Sequence, residues 1–282
     1  MSQITQNSLN QKTESELEQE WKNATLLNNF IFYKVMRSHP DACKKLIEML
    51  LKIKIGKMEI RNEEIIDIDH DSKGIRLDVL VKEQRRMHDI ELQVIDTKEL
   101  PERSRYYAAL MALDSLAPGD SYKKLRDSHV IFICMEDIFK KELPVYTFEN
   151  ICKEDGKTKL RDRDYKHFFI APTCAKIIED EEVRGFFEFL ISNNPSTEYT
   201  KDLKDYVNDA KHNMQWRFQF MTWERIKTYA FEEGKEKGLK QKAEEDAIEL
   251  LKEGISPETI AKCVKLPLNQ VLELQKSITV TA

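Results

Sequence analysis

Apolar and polar positions alternate most regularly in residues 75–94, IRLDVLVKEQRRMHDIELQV. Because successive side chains of a β-strand point to opposite faces, this alternation predicts two strands. The polar residues 83–86 mark the connection between the strands. We expect that connection to be longer than a minimal two-residue turn, and the whole segment to form a hairpin.

The predicted hairpin has one apolar face and one face that carries most of its polar side chains. Neighbouring strands lie about 4.8 Å apart, so the carboxylates of Asp78 and Glu91 could reach one cation. Oxygen ligands of this kind suit Mg²⁺ or Mn²⁺. The apolar face would contain Leu77, Val79, Val81, Ile90, Leu92 and Val94, and the other face Arg76, Asp78, Leu80, Lys82, Asp89, Glu91 and Gln93.

The same pattern also fits a hairpin that has no catalytic or metal-binding role. Amphipathic hairpins whose acids face solvent are common in soluble proteins, and Gln93 would then be a solvent-facing strand residue. An aspartate followed by Glu-x-Gln is also a loose pattern that recurs by chance. Alternation alone therefore leaves the metal site and the ordinary hairpin both open.

The segment before the hairpin predicts helices and one extended stretch. Helical spacing of apolar residues indicates helices over residues 21–37 and 41–51, with a break at His39-Pro40. Residues 57–68 should be extended and lead toward the hairpin.

A further helix should begin at Glu99 or Pro101 and end near Leu116. Arg103 and Tyr107 lie one turn apart on it, so both could face the candidate site. Packing of Tyr107 in the core is the alternative, and it is slightly favoured. The apolar residues expected to pack on the sheet are Tyr106, Ala109, Leu110 and Leu113.

Beyond this helix the pattern predicts strands and then helices only. The continuous apolar run of residues 130–135 is typical of a buried central strand, which we expect to be the last main strand of the core. Residues 146–151 and 168–170 should form an added hairpin or an edge pair. After Pro172 helical patterns dominate.

The predicted domain organisation follows from these elements. Residues 1–20 are polar and should form a mobile tail, and residues 21–175 the α/β core. Residues 176–245 would be a helical extension that ends in a charged linker or exposed helix. Residues 246–282 would form a small helical unit, in which Ser256-Pro257 begins one helix. Its helix-turn-helix outline could dock DNA, but a protein–protein or oligomerisation role is at least equally supported.

The net charge of the chain limits how it could bind nucleic acid. The 282 residues include 41% apolar and 34% charged residues and carry a net charge of −5, so a nucleic-acid-binding surface must be local. Each basic candidate for that surface could also be an ordinary solvated side chain. The candidates are Arg76, Arg103, Arg105, Lys123, Lys124 and Arg126.

Several other kinds of site are not indicated. The five cysteines lie far apart without a Cys-x-x-Cys pair, which indicates neither a zinc site nor a disulfide framework. His-Glu-x-x-His and a glycine-rich phosphate loop are both absent from the sequence. Neither a signal-peptide core nor an apolar run near 20 residues occurs, so we expect a cytoplasmic protein without a membrane partner.

Five segments in order carry a family resemblance: LLNNFIFYKVMRSHPDACKKLIEMLL, RLDVLV, IELQ, ERSRYYAALMALDSLAPGDSYKKL and VIFICMEDIF. This series resembles the recombination-promoting nuclease (Rpn-like), transposase-type family of the PD-(D/E)XK superfamily. The resemblance covers residues 26–139 well and the remainder loosely. It implies an α/β fold with an αβββαβ core, a mixed sheet flanked by helices, followed here by a helical C-terminal extension.

The resemblance also implies the site residues. The acidic pair of the superfamily matches Asp78 and Glu91, and the third motif position, a lysine in many members, is Gln93 here. A further metal-binding acid from the first core helix matches Glu48 best. The family often has an acid before its Phe-x-Phe, where this chain has Asn29. A catalytic role for that position is therefore not expected.

The implied activity is metal-dependent hydrolysis of DNA phosphodiester bonds. Asp78, Glu91 and Glu48 would bind Mg²⁺, or alternatively Mn²⁺. Gln93 does not titrate and could orient water or substrate by hydrogen bonds. DNA contacts are expected from Arg76, Arg103, Arg105 and Lys123. A catalytically silent module that binds nucleic acid or protein, with homo-oligomerisation through the helical C-terminal region, is the alternative.

Overall fold

The computed structural model describes residues 12–61 and 79–280. Its described strands form one mixed sheet in the order β1-β2-β3-β4-β6-β5. Pairing is antiparallel among β1, β2 and β3, parallel from β3 to β4 and from β4 to β6, and antiparallel between β6 and β5. The strands are β1 (Met58–Ile60), β2 (Val79–Glu83), β3 (Arg86–Gln93), β4 (Asp127–Cys134), β5 (Val145–Phe148) and β6 (Asp164–Ile170).

Helices lie before, between and after these strands. The predicted α/β class, a mixed sheet flanked by helices with a helical C-terminal region, is confirmed. A short 3-10 helix (Tyr122–Lys124) precedes β4. The α-helices are α1 (Glu14–Asn23), α2 (Asn29–Ser38), α3 (Pro40–Leu51), α4 (Leu100–Ser115), α5 (Ala171–Ile177), α6 (Glu181–Ser192), α7 (Glu198–His212), α8 (Met214–Lys252), α9 (Pro257–Val264) and α10 (Leu268–Val280).

Strand β4 occupies the centre of the sheet, as its apolar run predicts. The expectation that it is the last main strand is wrong, because β6 pairs with it in parallel over seven residues, from Ser128↔Asp164 to Cys134↔Ile170. Polar residues at the start of β6 hid this strand from the apolar pattern. The predicted added pair is present, with β5 at the edge of the sheet.

The hairpin connection is shorter than expected. Only Gln84 and Arg85 separate β2 from β3, because Glu83 and Arg86 belong to the strands. The Nε atom of Arg86 lies 2.8 Å from Oε1 of Glu83, so these two polar residues pair across the hairpin end instead of forming a loop.

The N-terminal region differs from its prediction in two ways. Residues 21–37 are not one helix, because α1 ends at Asn23 and the side chain of Asn28 caps a new helix by accepting from the amides of Phe30 and Ile31. Residues 14–20 belong to α1 rather than to a mobile tail, and Leu17 is buried. Residues 1–11 lie outside the described range.

Helix α4 has the predicted bounds within one or two residues but a different buried face. Of the residues expected to pack on the sheet, only Leu110 is buried, whereas Tyr106 and Leu113 are exposed. Neighbouring positions 106–111 are apolar on both sides of the helix, so the pattern does not specify the face. The buried residues are Leu100, Ser104, Tyr107, Ala108, Leu110 and Met111.

The sheet face that carries Val79 and Val81 contains a row of histidine rings, of which His88 and His167 are buried and His129 is half-buried. His88 of β3 lies beside His129 of β4, whose Nδ1 lies 3.1 Å from Nε2 of His167 on β6. His88 donates from Nε2 to Glu83, and His167 Nδ1 lies 3.2 Å from the hydroxyl of Thr147. Burial lowers the pKa of these histidines to about 3, 2 and 4 for His88, His129 and His167, so the row is neutral near pH 7.

The chain divides into two compact units. The first comprises residues 22–217 and contains the sheet. It extends past the boundary expected at residue 175, because later helices pack on the early ones. For example, Tyr199 of α7 donates its hydroxyl proton to the carbonyl of Ala42 at 2.9 Å.

The second unit comprises the described residues of ranges 1–21 and 218–282. Its C-terminal part is a small helical cluster around Ala247, Ile260 and Val271. The charged stretch 231–245 was predicted to be either a linker or an exposed helix, and it is an exposed part of helix α8. In the part of the chain that the structure describes, none of the helices is both long enough and apolar enough to cross a membrane.

Candidate active site

The register of the hairpin confirms the predicted division of its faces for the described residues. Leu80 pairs with Asp89 and Lys82 with Met87, and cross-strand partners of this kind share a face. Glu91 and Gln93 follow at the same alternation on β3. Asp78 and Arg76, which were predicted on this face, lie outside the described residues.

This polar face does not meet solvent. Asp89 is 0% and Glu91 2% exposed, because α4 covers the face and packs on Leu80 and Phe132. The interpretation of the hairpin as an amphipathic ribbon with acids on its wet side is therefore wrong. Acidic side chains held in this low-dielectric environment need compensating partners.

Arg103 of α4 supplies that compensation. Its Nη2 donates to Oε2 of Glu91 at 2.7 Å, and its Nη1 donates to Oε1 of Gln93 at 2.8 Å. One guanidinium therefore joins two of the site residues that the family resemblance predicts. Charge-assisted bonds from a planar fork of this kind fix the geometry of both acceptors.

Gln93 forms hydrogen bonds through both the oxygen and the nitrogen of its amide and is not the solvent-facing residue of the alternative interpretation. Its side chain is buried, accepts from Arg103, and donates from Nε2 to the carbonyl of Ile95. The orientation of the amide is consistent with this network, since the oxygen faces a pure donor and the nitrogen a pure acceptor.

Tyr107 holds Arg103 from the other side, a role for which the sequence contained only the one-turn spacing as a signal. Its hydroxyl accepts from Nε and Nη2 of Arg103 at 3.1 and 2.9 Å, and its ring stacks near Phe132 at 6.2 Å between centroids. Burial first, and then the charge of Glu91, raise the pKa of Tyr107 well above its usual range. Tyr107 is therefore packed in the core through its ring and also faces the candidate site through its hydroxyl, so both predictions for this residue apply.

A cavity of about 670 Å³ lies against the outer side of α4. Arg103 and Tyr107 line it together with Arg105 and Tyr106. The side chain of Arg103 is 28% exposed and that of Glu91 is 3% exposed. Among the described residues, Arg103 therefore lies between this cavity and the carboxylate of Glu91.

Two other predicted positions lie on the helices before the sheet. Glu48 of α3 accepts from the backbone amide of Ile55 at 2.8 Å and lies 3.5 Å from the Lys54 ammonium, and these contacts hold the pKa of Glu48 below its usual value. Asn29 of α2 donates its amide proton to the carbonyl of Leu92 at 3.1 Å. The structure thus brings Asn29, at the family's acidic position, next to β3, while the contacts of Glu48 are with the segment after α3.

Of the remaining basic candidates, Arg105 lines the same cavity as Arg103, whereas Lys123 and Lys124 lie in the 3-10 helix before β4. Arg105 is exposed on α4, and Lys123 is exposed in the 3-10 helix before β4. Lys124 pairs with Asp120. Arg103 alone among the described predicted bases reaches the acidic motif residue.

The donor set fits a hard cation in kind. Glu91 and Gln93 offer carboxylate and amide oxygens, which suit Mg²⁺ or Mn²⁺. Within residues 12–61 and 79–280, however, no group of three or more Asp, Glu, His or Cys side chains lies close enough together to hold an ion. A complete ligand set from this chain would therefore include a residue outside the described ranges, and Asp78 is the one that the sequence predicts.

Comparison with protein families places the chain in a known class. The fold is a PD-(D/E)XK-like α/β core, and the family model of the PD-(D/E)XK nuclease family transposase matches residues 28–254. The chain belongs to this family, as the five sequence segments predicted. A search of curated proteins and a search of solved structures gave no match.

Proposed function

We propose that this chain is a metal-dependent DNA endonuclease that hydrolyses phosphodiester bonds, a recombination-promoting, transposase-like enzyme. The observation that carries the proposal is the cluster of Glu91, Gln93 and Arg103. The two motif side chains at the end of β3 are buried together and bonded to one guanidinium. A buried acid with a specific charged partner at a family motif position is typical of a functional site.

Asp78 and Glu91 would hold Mg²⁺, or Mn²⁺, with water and substrate oxygens as further ligands. Asp78 precedes Val79 in the sequence, and Val79 pairs with Ile90, the residue before Glu91. Glu48 would join only after exchanging its contacts with Ile55 and Lys54. When bound, the ion supplies water activation and neutralises charge on the phosphate.

Arg103 and Gln93 would act on the substrate directly, and Tyr107 would act through Arg103. Arg103 carries a permanent charge and a bidentate donor fork, so it would exchange Glu91 for a phosphate oxygen when DNA occupies the site. Gln93 stays neutral at every pH and would orient water or the scissile phosphate. Tyr107 keeps the guanidinium of Arg103 at this position through its hydroxyl.

Exposed bases would extend the contact to flanking DNA. Arg105 is placed on the cavity side of α4, and Lys123 is exposed before β4. Arg76 is proposed for the same role from its sequence position. The helical C-terminal region is the proposed location of a homo-oligomer contact.

A catalytically silent member that binds nucleic acid or protein is the second candidate. The same Arg103–Glu91 ion pair favours it, because a satisfied carboxylate has less need of a cation. Asn29 at the acidic family position favours it as well. The two candidates differ in whether the protein cleaves DNA at all, and only the nuclease requires Glu91 for cleavage.

A supercoiled-plasmid nicking assay separates them. We expect the wild type to nick DNA with Mg²⁺ or Mn²⁺ and to be inactive in EDTA, while Asp78→Ala and Glu91→Ala abolish nicking. Glu142→Gln removes an exposed loop acid and is the matched control, which should retain activity. Equal nicking by all four proteins would identify a contaminant, and inactivity of the wild type with every metal would favour the silent module.

A further inference from the structure

The backbone between the candidate site residues of β3 is held by a side chain from another element. Asn29, the first residue of α2, donates from its side-chain amide to the carbonyl oxygen of Leu92 at 3.1 Å. Leu92 lies between Glu91 and Gln93 in the sequence. A carbonyl oxygen only accepts, so the nitrogen of the Asn29 amide is the atom that faces it. Asn29 therefore bonds the main chain that connects the two site residues.

The Leu92 carbonyl points toward the β2 side of β3. Successive carbonyls of a strand point to opposite edges, and the next carbonyl, that of Gln93, accepts from the amide of Met135 on the β4 side at 3.0 Å. The described pairing of β3 with β2 ends at Ile90. Asn29 thus donates to this edge of β3 two residues beyond the last described strand pair.

Helices α2 and α4 hold this part of β3 from opposite faces of the sheet. Helix α2 contacts β2 and β3, but none of its residues belongs to the buried cluster that α4 forms on the sheet. Arg103 of α4 bonds the side chains of Glu91 and Gln93, whereas Asn29 of α2 bonds the backbone between them. A rotation of the Leu92 peptide group would redirect the side chains on either side of it, so the backbone contact preserves the geometry of the site.

An acid at position 29 could not make the same contact. An ionised carboxylate has no proton to donate and would repel the Leu92 carbonyl. The preceding residue, Asn28, gives the contrast, because its side-chain oxygen accepts from the amides of Phe30 and Ile31 at 3.0 and 3.3 Å. Two adjacent, half-buried asparagines therefore use opposite ends of their amides.

We propose that Asn29 is a positioning residue of the candidate active site. It acts through the Leu92 backbone to keep Glu91 and Gln93 in the orientation that a divalent metal and the substrate require. The inference rests on the proposed function, which supplies the reaction. Where the family often has an acid, this chain then has a hydrogen-bond donor for β3. Residues that orient the surroundings of a metal typically change metal affinity or activity by about 10–100-fold when they are removed.

The test makes the same chemical change at two adjacent positions of the full chain. Asn29→Asp keeps the size of the side chain but removes the donor, and Asn29→Ala removes the donor without adding charge. Asn28→Asp adds the same charge one residue earlier and keeps the capping oxygen. Calorimetry measures Mn²⁺ affinity, plasmid nicking measures kcat and KM for DNA, and urea unfolding verifies that each variant is folded.

We expect both Asn29 variants to bind Mn²⁺ about tenfold more weakly and to lower kcat without changing KM for DNA. Asn28→Asp should match the wild type in both measurements. If Asn29→Asp does not fold, Asn29→Ala decides, because alanine is favourable in a helix and does not repel the carbonyl.

Higher Mn²⁺ affinity or faster nicking in Asn29→Asp would overturn the inference, because position 29 would then be one at which an acid improves the metal site. Unchanged Mn²⁺ affinity and kcat in Asn29→Ala would overturn it as well. Weaker Mn²⁺ binding by the Asn29 variants of a protein that does not nick plasmid would sink the nuclease function and keep the positioning role. A wild type that neither binds Mn²⁺ nor nicks plasmid would overturn both, so the two failures are distinguishable.

Discussion

Arg103 and Glu91 form an ion pair of 2.7 Å that joins α4 to β3 beneath the surface of the sheet. The acid is almost completely buried, whereas the base reaches the cavity on α4. The pair therefore connects a motif residue that solvent hardly reaches with the surface that a substrate would approach.

Loss of Arg103 should destabilise the fold. Arg103→Met removes the ion pair that Arg103 forms with the buried Glu91 carboxylate, and we expect a loss of about 2 kcal/mol in the free energy of unfolding. This is less than the roughly 3–5 kcal/mol of a fully buried pair, because the Arg103 side chain is 28% exposed. Urea unfolding measures the change.

Two further variants make that measurement specific. Arg105→Met removes an exposed arginine from the same helix and should be nearly neutral. Glu91→Gln/Arg103→Met should cost less than the sum of the single changes, because the stranded charge is gone. Equal unfolding midpoints for the Arg103 and Arg105 variants would show that the ion pair contributes nothing to stability.

The histidine row should make stability depend on pH. Burial lowers the pKa of His88, His129 and His167 in the folded state below the ordinary value near 6.5. The unfolded chain then binds more protons below pH 6.5, so this contribution is complete above pH 6.5 and is lost as pH falls toward the folded-state values. Each histidine contributes a slope of up to about 1.4 kcal/mol per pH unit.

Unfolding free energies between pH 4 and pH 8, both about two units from the unfolded pKa, measure this slope. His88→Gln should reduce the slope of unfolding free energy against pH by the contribution of one histidine, which is up to about 1.4 kcal/mol per pH unit. His212→Gln changes an exposed histidine outside the row and should leave it unaltered. An identical slope in both variants would mean that His88 does not titrate in this range in either state.

Two helical glycines should respond in opposite directions to alanine. A Cβ at Gly185 of α6 would lie 2.6 Å from Cγ2 of Thr197, so Gly185→Ala should cost about 1–3 kcal/mol. A Cβ at Gly234 of α8 meets nothing within 4 Å among the described residues, so Gly234→Ala should stabilise the helix by about 0.5–1 kcal/mol. Thermal unfolding followed by circular dichroism compares them, and a rise in Tm for Gly185→Ala would contradict the close packing of α6.

The sequence predicted those features that a local pattern encodes. Alternation predicted the division of faces in the hairpin, the apolar run predicted β4, and proline placement predicted the start of α4. The buried face of α4 could not be read, because Tyr106 and Tyr107, like Leu110 and Met111, place apolar side chains on both sides of the helix.

The assembly of the site depends on tertiary structure. Arg103 meets Glu91 only because α4 crosses back over the sheet between two parallel strands, and neither residue type nor spacing encodes that crossing. The family resemblance supplied Glu91 and Gln93 as motif residues, but not the guanidinium that joins them. Likewise, Asp114 contacts both Lys82 and Arg61, which precede it in the chain by 32 and 53 residues.

Binding of Mn²⁺ by calorimetry is the most direct test of whether residues 78 and 91 share one ion. We expect the wild type to bind the ion and Asp78→Asn and Glu91→Gln each to abolish that binding while remaining folded. Undiminished Mn²⁺ affinity in either variant would contradict a shared site and remove the basis for metal-dependent cleavage at this hairpin.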